Sequence, residues 1–186
     1  MRSKSEITHL LKRVRSNSGQ AMEELFPLIY DELKKIAHSK LAKERDDITF
    51  TETALVHEVY MKMIDQTKIE AHDKNHFMAI SARCMRQILV DHARKKKAEK
   101  RGGDQQDVTY VDELLKAKHE ADELLDLDEK LKELASYDER MAKVVTLRFF
   151  GQMTVTATAD VLKISERTVK RDWAKARGWL YKELKK

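Results

Sequence analysis

Apolar residues recur along this chain at helical spacing. In residues 5–15, Ile7, Leu10, Leu11 and Val14 fall at i, i+3, i+4 and i+7, one face of an α-helix. Residues 20–42 carry Leu25, Ile29, Leu33, Ile36 and Leu41. Pro27 inside that stretch predicts a kink or a helix start. Thr53 is placed to cap a third helix, with Leu55, Val56, Val59, Tyr60, Met63 and Ile64 as its apolar positions. Asp73 or Asn75 opens a fourth, striped by Phe77, Ile80, Ser81, Cys84, Met85, Ile88 and Leu89. That helix runs into the basic run Arg94-Lys95-Lys96-Lys97.

The second half repeats the pattern. Residues 121–135 carry Leu124, Leu127, Leu131 and Leu134. Residues 138–150 carry Met141, Val144, Val145 and Leu147, and end at Gly151, placed for a C-cap. Shorter helices are expected over 154–162 and 166–183. Two-residue alternation is nowhere sustained, so the expected fold is all-α: two small helical domains joined by a flexible linker. The polar stretch Arg101-Gly102-Gly103-Asp104-Gln105-Gln106-Asp107 marks the boundary. It divides the chain into residues 1–99, a linker over 100–120, and residues 121–186.

Composition narrows the class. Of 186 residues one is Pro and one is Cys, and 37% are charged, against about 25% in an average domain. A single cysteine, Cys84, excludes an internal disulfide and a multi-cysteine zinc site; its apolar helix face suits a core position. No stretch approaches the ~20 apolar residues of a membrane span. The start, Met1-Arg2-Ser3-Lys4-Ser5-Glu6, does not resemble a signal peptide. A cytoplasmic chain without membrane insertion is expected.

The net charge of +5 hides a sharper distribution. Residues 1–82 are neutral. Residues 83–101 hold eight basic and two acidic residues, residues 102–139 four and thirteen, and residues 140–186 twelve and four. Two basic blocks thus flank an acidic one, which suits two separate contacts with a polyanion. The acidic block between them does not suit a polyanion.

Residues 154–173 read as a helix-turn-helix. Thr154 and Ser165 can cap its two helices, and Ala159 is small where they cross. Leu162, Ile164 and Val169 would fill the wedge between them. Glu166, Arg167, Thr168, Lys170 and Arg171 then face outward near the start of the second helix. Such side chains reach phosphates and base edges in a major groove. Lys163 occupies the turn position that favours Gly, at a cost of roughly 1–2 kcal/mol.

Catalytic chemistry finds no support. Among seven histidines only His72 and His76 are spaced i, i+4, and no HExxH motif occurs. No Gly-rich phosphate loop or G-x-S-x-G motif is present. No catalytic residue, metal or cofactor is expected. An operator-binding regulator would explain the C-terminal half equally well, but not a second basic helix followed by a linker. A purely structural bundle would explain the leucine stripes alone.

Three motifs together resemble the extracytoplasmic-function (ECF) sigma factors of bacterial RNA polymerase. Ala54-Leu55-Val56-His57-Glu58-Val59-Tyr60-Met61-Lys62-Met63 is similar to region 2.2, although Ala54 and His57 replace the usual acid and Gln. The stretch from Phe77 to Arg94 is similar to regions 2.3 and 2.4. Val144-Val145-Thr146-Leu147-Arg148-Phe149-Phe150-Gly151 and the helix-turn-helix are similar to region 4, with Thr156 and Thr158 where Glu is common. The resemblance implies binding of core polymerase and promoter-specific transcription initiation. It places Leu55, His57, Glu58, Tyr60, Met61, Lys62 and Asp65 at the polymerase. It places the loop 66–76 and the following helix at the melted minus-10 strand, with Asn75, His76, Phe77, Arg83, Arg86, Gln87 and Arg94 in contact. The recognition helix from Ser165, through Glu166, Arg167, Thr168, Lys170, Arg171 and Lys175, would read the minus-35 duplex. An anti-sigma factor is a further partner many members have.

Overall fold

The computed structural model of the chain describes residues 4–15, 19–41, 51–65, 71–102 and 111–185. Every element among them is helical: α1 (Lys4–Arg15), α2 (Gly19–Leu41), α3 (Glu52–Asp65), α4 (Lys74–Gly102), α5 (Val111–Tyr137), α6 (Glu139–Val145), a π-turn (Thr146–Phe150), α7 (Val155–Leu162) and α8 (Glu166–Glu183). The all-α expectation holds. Residues 103–110 of the expected linker lie outside the described residues, and α5 begins at Val111 rather than near 121.

The predicted stripes form the core. Leu11 of α1, Leu25, Ile29 and Leu33 of α2, Val56, Val59 and Met63 of α3, and Met85 and Ile88 of α4 are all buried. Pro27 lies within the continuous helix α2. A proline forfeits one backbone hydrogen bond there, but Leu25 and Ile29 anchor both sides of it in the core. The cap of α3 is Thr51, not Thr53: its hydroxyl accepts from the Ala54 amide at 3.1 Å. Asp73 caps α4, accepting from the His76 amide at 2.8 Å. The capping rule thus selected the right residue type, but not the right threonine.

The C-terminal helices pack on α4. One hydrophobic cluster continues from Met85 and Ile88 to Leu131, Leu134, Val145, Phe150 and Leu180. A second joins Ala79 and Ala82 of α4 to Leu147 and Met153. Gly151 follows the π-turn with a right-handed φ of −98°, while the left-handed residue there is Gln152. Space is what Gly151 supplies: a Cβ there would lie 2.7 Å from the Ala82 Cβ and from the Leu147 carbonyl.

In the helix-turn-helix both predicted caps form. Thr154 accepts from the Ala157 amide and Ser165 from the Thr168 amide, each at 3.1 Å. Lys163 adopts the left-handed conformation, φ 54°. Its amide and that of Ile164 close the end of α7 onto Asp160 and Ala159. Val144, Ala159 and Val169 are buried in the wedge, flanked by Leu162, Ile164 and Trp173.

Two outcomes follow. Lys163→Gly removes a left-handed side chain but adds unfolded-state freedom, so stability should rise by about 0.5–1 kcal/mol. A thermal scan should show the midpoint up by about 1–4 °C; a fall would mean the turn carries no strain. The second concerns Lys40, whose ammonium sits 3.8 Å from the Phe149 ring centroid. Burial lowers its pKa from 10.5 to about 8. The unfolded lysine keeps its proton up to the higher value, so stability should rise as pH climbs from about 8 to 10.5. Lys40→Met should flatten that window in pH-dependent unfolding, and an unchanged slope would place the ammonium in water.

Candidate nucleic-acid interface

Charge at the start of α8 is solvent-facing by construction. Val169, Asp172, Ala176 and Leu180 are buried on one face of α8. Helical spacing then turns Arg167, Lys170, Arg171 and Lys175 outward, and all four are exposed. Ser165 and Glu166 are exposed and Thr168 is half-buried. The Glu166 carboxylate accepts from the Thr156 hydroxyl at 2.6 Å. Asp172, which sequence reasoning did not single out, fixes this helix in place. It is buried and accepts from the Arg140 Nε at 2.7 Å, tying α8 to α6. A lone acid within a run of basic residues was its only signal. Arg148 lies over the Trp173 ring at 5.3 Å and so braces the same helix from the π-turn.

The second basic face is on α4. Arg83, Arg86, Gln87 and Arg94 fall at helical spacing and line a cleft of about 620 Å³ between α4 and helices α5, α6 and α7. Arg83 and Gln87 are exposed. Arg86 is not: its side chain is 19% exposed. It donates through Nε and Nη2 to one Asp128 carboxylate oxygen at 2.9 and 2.8 Å. It also donates to the Asp128 carbonyl at 3.4 Å and to the Thr146 hydroxyl at 3.2 Å. Lys132 lies 2.7 Å and Arg94 3.7 Å from the other Asp128 oxygen. Burial alone would push the Asp128 carboxyl up. The hydrogen bonds and charges of Lys132 and Arg86 outweigh it and hold the group below its ordinary value.

The residues expected at the melted strand divide. Asn75 and His76 lie in the first turn of α4 rather than in a loop, since α4 starts at Lys74. Residues 66–70 lie outside the described residues. The Asn75 amide donates to Asp160 of α7 at 3.4 Å, and the His76 and His72 rings stack at 5.2 Å. Phe77 is 1% exposed and sits in the core. It is therefore a packing residue, not a surface on which a base can stack in this conformation. Its place in the apolar stripe was the better signal.

On α3, His57 and Glu58 are exposed, while Tyr60 and Lys62 are half-buried. Tyr60 packs on Phe26 at 4.4 Å. Met61 and Ile64 are 45% and 44% exposed, adding apolar area to that face. Leu55 is fully buried, which removes it from the polymerase-facing set. The Asp65 side chain lies outside the described ones. Ile64, expected in the core stripe, belongs to the surface instead.

Cys84 is buried, and burial raises its thiol despite Lys62 and Arg83 nearby. Among the described residues, no group of three or more His, Cys, Asp or Glu could hold a metal ion. Among the same residues, no helix is long and apolar enough to cross a membrane.

Comparison with known proteins found no match among curated proteins. The family model of the ECF sigma factor, however, matches residues 4–186. With a capped helix-turn-helix, a second basic helix and that match over nearly its whole length, the chain belongs to the ECF sigma factor family: it is a non-catalytic RNA polymerase factor that directs transcription initiation at promoter DNA.

Proposed function

We propose a division of labour within this sigma factor. Residues 1–99 bind core polymerase and the melted minus-10 strand, residues 100–120 connect, and residues 121–186 read the minus-35 duplex. The observation carrying this assignment is the exposed row Arg167, Lys170, Arg171 and Lys175 on a helix capped by Ser165. An N-terminal helix turn of that kind enters a major groove end-on, where arginine can fork onto guanine. On α4, Arg83, Arg86, Gln87 and Arg94 supply donors for phosphates and base edges of the opened strand, with Asn75 and His76 at its entrance. The exposed His57, Glu58 and Met61 and the half-buried Tyr60 and Lys62 form the polymerase-facing side of α3. The chain works in the cytoplasm, where its polymerase is. An anti-sigma factor would dock on the C-terminal half and cover the α8 face.

Reconstitution with core polymerase and a promoter library tests the assignment. A selected promoter should emerge, and both conserved elements within it should be required. Arg167→Ala and Arg171→Ala should then each weaken duplex binding by about 1–3 kcal/mol if they fork onto bases. Equal losses on every sequence would restrict them to phosphate contacts. No core binding and no promoter-directed transcript would overturn the assignment.

A further inference from the structure

Part of the basic face of α4 already has an occupant. Arg86 spends its donors on Asp128 and Thr146. Arg94 approaches the same carboxylate at 3.7 Å, and Lys97 lies 2.7 Å from Asp122. Asp122 and Asp128 both stand on α5, within the acidic block. Asn75 is engaged by Asp160 of α7. To a guanidinium, a carboxylate and a phosphate offer the same thing: an anionic oxygen that accepts charge-assisted hydrogen bonds.

We infer that the free sigma factor masks part of itself: Asp128 of α5 occupies Arg86 on the strand-binding face of α4, and promoter DNA must displace it. The inference rests on the assignment of α4 to the melted strand. Beside this contact, small side chains seat the π-turn and the residues after it on α4. Ala79 and Ala82 meet Leu147 and Met153, and Gly151 leaves no room for a Cβ against Ala82. Arg83 and Gln87 remain exposed at the cleft. An incoming strand can therefore engage them first and then replace Asp128 at Arg86. Once Asp128 loses its charge, the closed form buries a guanidinium without a counter-ion, whereas the open form hydrates it. The population then moves toward the open, binding-competent form, and apparent affinity rises with its fraction.

Two substitutions open the contact by different means. Asp128→Asn removes the charge, and Ala82→Leu wedges the helices apart. Asp126→Asn, an exposed position on the same helix, adds the same net charge without touching Arg86. Fluorophores on His9→Cys and Tyr181→Cys, both exposed positions, report the separation of the two halves in the full chain. Wild type and Asp126→Asn should give one narrow distance. Asp128→Asn and Ala82→Leu should each give a longer, broader one while keeping their helical circular dichroism. Their affinity for a labelled oligo-dT strand should exceed that of Asp126→Asn by about tenfold. The masking idea is overturned if wild type is already broad, or if both opening variants keep the wild-type distance and strand affinity. Should either variant lose its helicity, the other decides. Core-polymerase binding by wild type is scored separately. Its loss would remove the strand assignment and leave the distances standing, whereas normal core binding with unmoved distances removes the mask alone.

Discussion

A buried carboxylate dictates how this chain is put together. Asp128 is 5% exposed, and an isolated charge at such a site is strongly disfavoured. It is tolerated because Arg86, Lys132 and Arg94 converge on it. Two of those cations belong to α4 and one to α5, so satisfying the carboxylate brings the helices together. On α4, Ala79 and Ala82 meet Leu147 and Met153, and Gly151 leaves no room for a Cβ against Ala82. Such a pair adds little net stability over an apolar contact, but it is specific and can be exchanged for another anion. That exchange suits a face proposed to meet an anionic strand.

The helix-turn-helix is built on the opposite principle. Its basic residues are kept exposed, and the helix carrying them is fixed from behind. Asp172 holds α8 to α6 through Arg140, while Val144, Ala159 and Val169 fill the crossing. Phosphate and base contacts discriminate only when their geometry is preset. The left-handed turn at Lys163 belongs to this arrangement, since it sets the angle between α7 and α8. One half of the molecule thus presents its basic residues on α8, and the other half pairs Arg86 of α4 internally while Arg83 and Gln87 stay exposed.

Local signals in the sequence were legible. Thr154, Ser165 and the turn at Lys163 were placed correctly because caps and left-handed turns depend on a few neighbouring residues. The core stripes of α1, α2 and α4 followed from helical periodicity. Faces were less legible where a motif mixes roles. Leu55 and Phe77 lie inside segments resembling polymerase- and strand-binding motifs, yet their burial follows the apolar period rather than the motif. Ile64 shows the reverse, an apolar residue left outside because it lies at the end of its helix. The acidic block hinted at contact with a basic partner. Its pairing of Arg86 with Asp128, 42 positions apart, could not be read, because charge composition fixes sign and not register. Asp172 stayed hidden for the same reason: its partner Arg140 is 32 residues away.

Arg86 is proposed to change partner between the free chain and the initiation complex. A structure of the chain bound to core polymerase and a promoter selected from the library tests it most directly. The account predicts Arg86 on a phosphate or base of the opened strand, beyond hydrogen-bond reach of Asp128, with the start of α8 in the duplex major groove. An intact Arg86–Asp128 pair in that complex, with DNA bound elsewhere, would contradict it.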